Sequence, residues 1–117
     1  MLPRKHRLPL RTELTRVQEE GKLFQGRLFS LLVSGQEPVD RSQPSRFAFI
    51  ISTKIHKRAV KRNRVRRFLI EAIRSLLPKI KPGFDCVFLA KKAIVGKGLI
   101  EIKKETERLF KKTKLIT

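Results

Sequence analysis

Seven of the eleven residues from 57 to 67 are lysine or arginine. Guanidinium groups offer a planar fork of N–H donors that fits phosphate oxygens, and lysine adds a compact positive charge. Only Glu71 places an acidic side chain at helical spacing from this run. A solvated charged face is the alternative interpretation. We favour phosphate binding, because cations at a helix N-terminus oppose the helix dipole unless an anion binds there.

The same segment predicts a long helix over residues 57–77, ending before Pro78. Its apolar residues recur at intervals of three and four, as on one buried helix face. They are Val65, Phe68, Leu69, Ala72, Ile73 and Leu76. The opposite side carries Asn63, Arg64, Arg67, Glu71 and Arg74, and one flank carries Arg62 and Arg66. We expect the C-terminal half to be anchored in a core and the basic N-terminal half to project from it.

The whole chain is strongly basic, with 29 Lys and Arg against 10 Asp and Glu and a formal charge of +19 over 117 residues. Such a charge attracts nucleic acid or an anionic membrane, and its spread along the chain favours nucleic acid. The sequence has no apolar run typical of a membrane span or a signal peptide. A single cysteine, Cys86, excludes an internal disulfide framework. We therefore expect a cytoplasmic protein with no membrane partner and no obligate protein partner.

Residues capable of catalysis or metal binding do not group in the sequence. His6 and His56 are far apart and lie among basic residues that repel cations. Cys86 alternates with Phe84 and Phe88, which predicts a buried, inert thiol. The acidic residues form no spaced pair for acid–base chemistry. We expect no catalytic residue and no metal site, and the glycines of "VGKGL" are weak evidence for a phosphate loop.

The order of predicted elements favours one compact domain, an α/β (α+β) two-layer sandwich with a small mixed sheet and a long basic helix. A short helix spans "RTELTRVQEEGK", with Thr12 as its cap and Gly21 as its stop. Strands are predicted over residues 27–34, 46–53 and 84–91, and a last helix over residues 99–112. Residues 1–10 are expected to be irregular or mobile, and residues 35–45 to form a loop.

Alternation along the first two strands separates two sheet faces. Large side chains occupy one face, namely Phe29, Leu31, Val33, Phe47, Phe49 and Ile51, and should pack under the long helix. The other face carries Ser30, Leu32, Ser34, Ala48, Ile50 and Ser52. This second face forms either a groove or a surface half covered by the N-terminal helix.

The sequence Arg62-Asn63-Arg64 followed by Arg66-Arg67, on a helix after a strand ending "STKI", resembles the signature of the bacterial ribonuclease P protein component family. The segments "RLPLRTELTRVQEEGK", "GRLFSLLV", "RFAFIIST" and "FDCVFLAKK" follow the family in order, so the resemblance covers residues 4–112. It implies a fold like the second domain of a small-subunit ribosomal protein, with a left-handed βαβ crossover.

The resemblance also implies a function. Members of this family join a large catalytic RNA, and the holoenzyme removes the 5′ leader from precursor tRNA. The chemistry belongs to Mg²⁺ bound mainly by the RNA, which activates water for attack on the phosphodiester. The signature helix contacts the catalytic RNA, and a cleft between the sheet and the first helix holds the single-stranded leader.

Two sets of residues follow. The predicted RNA surface comprises Lys54, Lys57, Arg58, Lys61, Arg62, Asn63, Arg64, Arg66 and Arg67, with arginine at position 66 where the family usually has lysine. The predicted leader cleft comprises Leu14, Gln18, Ser30, Leu32, Ile50 and Ser52. The family often has aromatic residues at positions 14, 18 and 32, and this chain has no Tyr or Trp. Leader binding is therefore expected to depend less on base stacking and more on backbone electrostatics.

Two other classes of function fit the fold and the charge. A structural ribosomal or general RNA-binding protein would bind RNA without affecting precursor cleavage. A stand-alone nuclease would need a carboxylate cluster for metal, which the sequence does not offer.

Overall fold

The structure is a computed structural model that describes residues 2–35 and 43–117. The elements are α1 (Leu10–Glu20), β1 (Lys22–Phe24), β2 (Phe29–Gly35), β3 (Arg46–Ile50), α2 (Ala59–Leu76), β4 (Phe84–Ala90) and α3 (Leu99–Lys112). Three short 3-10 turns lie at Arg4–His6, Leu77–Lys79 and Lys92–Ile94. Most of the predicted loop over residues 35–45 falls outside the described residues, and Gly35 belongs to β2.

The four strands form one mixed sheet in the order β1-β2-β4-β3. β2 is antiparallel to β1 and β4, whereas β3 is parallel to β4. The connection between parallel strands passes through α2, which makes a βαβ unit. The predicted α/β sandwich with a small mixed sheet is confirmed.

The first sheet face forms the main core with α2 and α3. Phe29, Phe47 and Phe88 are almost completely buried there, together with Phe110 of α3. The Phe88 ring lies 5.0 Å from that of Phe29 and 5.9 Å from that of Phe110, measured between centroids. Burying a large apolar side chain contributes about 1.5–3 kcal/mol, so this layer supplies much of the stability. The prediction that the large side chains face the long helix is confirmed.

The second sheet face packs against α1 and the N-terminal segment. Leu8, Val17, Leu32, Ala48 and Val87 form its buried cluster. The sequence left open whether this face forms a groove or is half covered by the first helix. At the centre of the face, the helix covers it.

Residues 2–9, which we expect to be irregular or mobile, form one 3-10 turn and no strand or α-helix, and part of this segment packs on the sheet. Leu2 and Leu8 are buried, and the backbone N–H of Leu8 donates to the carbonyl of Phe47 at 2.9 Å. This bond forms a short parallel bridge between Arg7 and Phe47 at the outer side of β3.

The helix ends differ from prediction in two places. Thr12 does not cap α1, because the helix begins at Leu10 and the Thr12 hydroxyl donates to the carbonyl of Pro9 at 3.3 Å. α2 begins at Ala59, so Lys57 and Arg58 precede the helix, and the Arg58 N–H donates to Nδ1 of His56 at 3.0 Å.

Gly21 ends α1 as predicted, with its N–H bonded to the Val17 carbonyl at 2.8 Å. A Cβ at this position would clash with the carbonyl oxygens of Val17 and Val33. Close approach of the chain therefore requires glycine here, and the chain turns at once into β1. The sequence pattern does not predict this three-residue strand.

Candidate nucleic-acid interface

α2 is divided into an anchored half and a projecting half. Val65, Leu69 and Ile73 are buried against the sheet, whereas Val60 is 68% exposed. The first turns of the helix therefore stand clear of the core. This confirms the division predicted from the apolar spacing.

The residues of the predicted RNA surface lie on the projecting half and in the turn before it. Seven of the nine are exposed, and Arg62 and Arg66 are partly buried. None of the nine forms an ion pair with a carboxylate within residues 2–35 and 43–117. The eight positive charges of this set, in which Asn63 is neutral, are thus available to an external anion.

Arg62 differs from its neighbours because its guanidinium is already bonded to the backbone. Its Nη1 donates to the carbonyls of His56 and Lys57, both at 2.8 Å. The side chain thereby ties the preceding turn to the first turns of α2. Arg62 supports the shape of the surface as well as contributing charge.

The aromatic ring of Phe68 orders two other arginines. The guanidinium carbons of Arg64 and Arg67 lie 5.2 Å and 5.9 Å from its centroid. Cation–π attraction at this range restricts long side chains that would otherwise be mobile. The Arg66 side chain is restricted by a hydrogen bond instead, which it donates to Oδ1 of Asn63 at 3.1 Å.

The turn before α3 adds positive charge beside α2. Lys97 lines a narrow crevice together with Lys61 and Arg64. Gly96 adopts φ +84°, which favours glycine, and Gly98 precedes the first residue of α3. The "VGKGL" sequence was the signal for this turn, but nothing in the structure marks it as a separate ligand site.

The predicted leader cleft is only partly open. Leu14, Leu32 and Ile50 meet in the cluster on the second sheet face. Leu32 is almost completely buried, and the buried Ser30 hydroxyl donates to Oε1 of Gln25 at 2.8 Å. Gln18 and Ser52 are exposed. The surface available to a ligand is therefore formed by residues 14, 18, 50 and 52 rather than by all six.

A buried carboxylate joins α1 to the sheet near this cleft. Asp85 accepts hydrogen bonds from Arg16 of α1 and Arg46 of β3. Arg16 also donates to Oε2 of Glu13 at 3.0 Å and to the Gly35 carbonyl at 2.9 Å. The hydrogen bond from Arg16 holds the pKa of Glu13 below its usual value. We call these four side chains, Glu13, Arg16, Arg46 and Asp85, the Asp85 cluster.

A second buried carboxylate supports the β1–β2 connection. Glu105 of α3 accepts hydrogen bonds from the N–H groups of Arg27 at 2.6 Å and Leu28 at 3.2 Å, and from Nε of Arg108 at 2.8 Å. Burial alone would raise its pKa, but these hydrogen bonds lower it overall. The carboxylate is thus fixed in its charged form as a structural brace.

Cys86 and His6 both have structural surroundings rather than an open site. Cys86 is completely buried, and burial raises the pKa of its thiol, as expected of an inert cysteine. Nδ1 of His6 lies 2.8 Å from the carbonyl oxygen of Ser45. Over the described ranges, no three His, Cys, Asp or Glu side chains are grouped so that they could hold a metal ion. No described helix has the length and apolar character needed to cross a membrane.

Comparison with known proteins gives one consistent family. The family model described as Ribonuclease P matches residues 2–114. A ribonuclease P protein component from a Synechococcus species is 34% identical over 116 residues, covering 99% of this chain and 87% of the relative. One from Clostridium kluyveri is 34% identical over 112 residues, covering 94% and 96%.

Solved structures give the same result for the fold. The RNase P protein from Thermotoga maritima, solved with 1-(4-fluorophenyl)-2-thiourea, superposes with a TM-score of 0.79 at 26% identity and covers 90% of this chain and 97% of its own. The Staphylococcus aureus protein superposes with a TM-score of 0.83 at 20% identity, covering 96% and 98%. With the match to the family model over nearly its whole length, the chain belongs to the ribonuclease P protein family.

Proposed function

We propose that the chain is the RNA-binding protein subunit of ribonuclease P, and that the predicted RNA surface contacts the catalytic RNA. The observation that carries this proposal is the pair of guanidinium groups of Arg64 and Arg67 ordered over Phe68, neither paired with a carboxylate of the described residues. Such groups meet phosphate oxygens with little further loss of side-chain freedom.

The single-stranded 5′ leader of precursor tRNA is assigned to the predicted leader cleft. Leu14 and Ile50 offer apolar contact, and Gln18 and Ser52 offer hydrogen bonds at exposed positions. Without aromatic side chains at positions 14, 18 and 32, this cleft would bind the leader mainly through the sugar-phosphate backbone.

The protein would assist the reaction without supplying its chemistry. The described residues lack a side-chain cluster suited to Mg²⁺, and we assign this ion to the RNA partner. A net charge of +19 would reduce the repulsion between two large polyanions during tRNA 5′ maturation in the cytoplasm.

Cleavage of precursor tRNA at low Mg²⁺ concentration tests this function, using a bacterial ribonuclease P RNA with and without the protein. Activity that appears only with both components supports the accessory role. If the protein binds the RNA but does not change cleavage, a structural ribosomal or general RNA-binding role replaces it. Cleavage by the protein and Mg²⁺ alone would instead indicate a stand-alone nuclease.

A further inference from the structure

An apolar pocket of about 340 Å³ lies at the outer edge of β3. Leu8 and Ala48 reach it from the second sheet face, and Phe49 and Ile70 from the first. The pocket therefore wraps around the strand edge and shares no lining residue with the predicted leader cleft. We call it the β3-edge pocket.

The strand edge beside the pocket carries backbone groups that have no partner among residues 2–35 and 43–117. β3 is an edge strand of the sheet. On its outer side the Phe47 carbonyl accepts the hydrogen bond from the Leu8 N–H. Alternate residues of a strand direct their backbone groups to the same side, so Phe49 also points its N–H and C=O outward. Within the described chain no strand pairs with this edge beyond the bridge at Phe47. The pocket thus has one donor and one acceptor beside an apolar wall.

Both charged side chains in the lining of the pocket, taken over the described residues, are positive. Arg7 and Arg66 are the charged residues among those that line it. Nε of Arg7 donates to the Leu2 carbonyl at 3.0 Å, which fixes the side chain while its terminal nitrogens have no partner among the described residues. Arg66 belongs to the predicted RNA surface, so the pocket continues that surface.

We infer that the β3-edge pocket binds one unpaired nucleobase of the ribonuclease P RNA. The base would lie against Phe49 and Ile70 with its hydrogen-bonding edge on the Phe49 backbone, and its flanking phosphates would meet Arg7 and Arg66. A base combines an apolar face, donors and acceptors on its edge, and adjacent negative charge, which are the features this pocket complements. A second copy of the chain is disfavoured as the occupant, because its net charge of +19 would be repelled by the positively charged rim of the pocket. The inference rests on the proposed RNA-binding function and names a further site for that RNA.

Chemical probing of a bacterial ribonuclease P RNA with the full chain bound tests the inference. Dimethyl sulfate reports on unpaired adenine and cytosine, and a carbodiimide reports on uracil and guanine. The variant Ile70→Trp fills the pocket and keeps every charge. Ile100→Trp is the matched control, because Ile100 is 72% exposed on α3. Leu10→Trp fills the pocket from α1 if the first variant does not fold.

We expect the native protein to protect one unpaired base and Ile70→Trp to restore its reactivity. Affinity for the RNA should fall about tenfold, as for the loss of one stacked base. Ile100→Trp should behave as the native protein does.

Three results would overturn the inference. If the native protein binds the RNA and the pocket variants leave every base as reactive as before, the pocket assignment fails and the proposed function stands. If the native protein does not bind the RNA, both fail. If sedimentation shows a native dimer that Ile70→Trp dissociates with base reactivity unchanged, the occupant is a second copy.

Discussion

Arg46 donates two hydrogen bonds to Asp85, from Nε to Oδ1 at 2.9 Å and from Nη2 to Oδ2 at 2.8 Å. The Asp85 side chain has no exposed surface, and the two residues are paired in the register of the neighbouring parallel strands β3 and β4. A carboxylate buried in this way is costly unless its partners are fixed, and here Arg16 supplies the second one. The Asp85 cluster therefore sets how α1 sits on the sheet.

Asp85→Asn should destabilise the fold by about 3 kcal/mol, because it leaves two guanidinium groups without their buried counter-charge. Urea denaturation measures this change. The matched control is Glu71→Gln, which removes the partner of Arg74 from a half-exposed pair separated by 3.5 Å. The control should cost less than about 0.5 kcal/mol. Equal effects of the two variants would show that the Asp85 cluster contributes no more than a surface pair.

Stability should fall in acid through Glu105. Its pKa is below the ordinary value of 4.5, so the folded state favours the ionised carboxylate. A lowered pKa stabilises the fold above the unfolded-state value and loses that contribution as the pH falls through the folded-state value. We expect the free energy of unfolding to drop below pH 4.5, and to drop less steeply in Glu105→Gln. Parallel pH profiles of the two proteins would contradict this assignment.

Arg64→Ala and Arg67→Ala should each weaken binding to a bacterial ribonuclease P RNA. Each should also reduce the slope of log affinity against log salt by about one, since one phosphate contact is lost. Filter binding over a range of KCl concentrations measures both quantities. Arg74→Ala is the control, because Arg74 lies on the same helix but is paired with Glu71. An unchanged slope in both test variants would remove these arginines from the interface.

Phe68→Leu should weaken the same complex by about two- to fivefold without changing the salt slope. The ring orders Arg64 and Arg67, and losing a cation–π contact costs about 0.5–1 kcal/mol while the charges remain. Phe24→Leu removes a ring of similar exposure from β1 and controls for lost packing. A smaller salt slope in Phe68→Leu would mean that the ring does more than orient the two arginines.

The spacing of apolar residues along the sequence was enough to predict the helices and the two faces of the sheet. The buried stripe of α2, the bounds of α3 and the two sheet faces follow from spacings of three to four and of two residues. β1 was missed because three residues are too few to show alternation. Thr12 was misassigned as a cap because Pro9 and Leu10 start the helix without a side-chain acceptor.

The candidate site also has parts that the sequence predicts and parts that it does not. Exposed cations on α2 are visible in the sequence as charge at helical spacing. The Asp85 cluster is not, because Asp85 lies 69 residues from Arg16 and 39 from Arg46. Its only local signal was an aspartate inside an otherwise apolar strand, Phe84–Ala90. The β3-edge pocket likewise depends on three segments that meet only in the folded chain.

The place of β4 in the sheet has a consequence for synthesis. β4 is the last strand to be made, yet it lies between β2 and β3 and pairs with both. A growing chain that ends before residue 84 has no strand to join β2 to β3. It also lacks Phe88, whose ring contacts those of Phe29 and Phe49 in the core. The sheet must therefore assemble after most of the chain has left the ribosome. Until then, the basic side chains belong to an unfolded nascent chain and are accessible to nearby RNA.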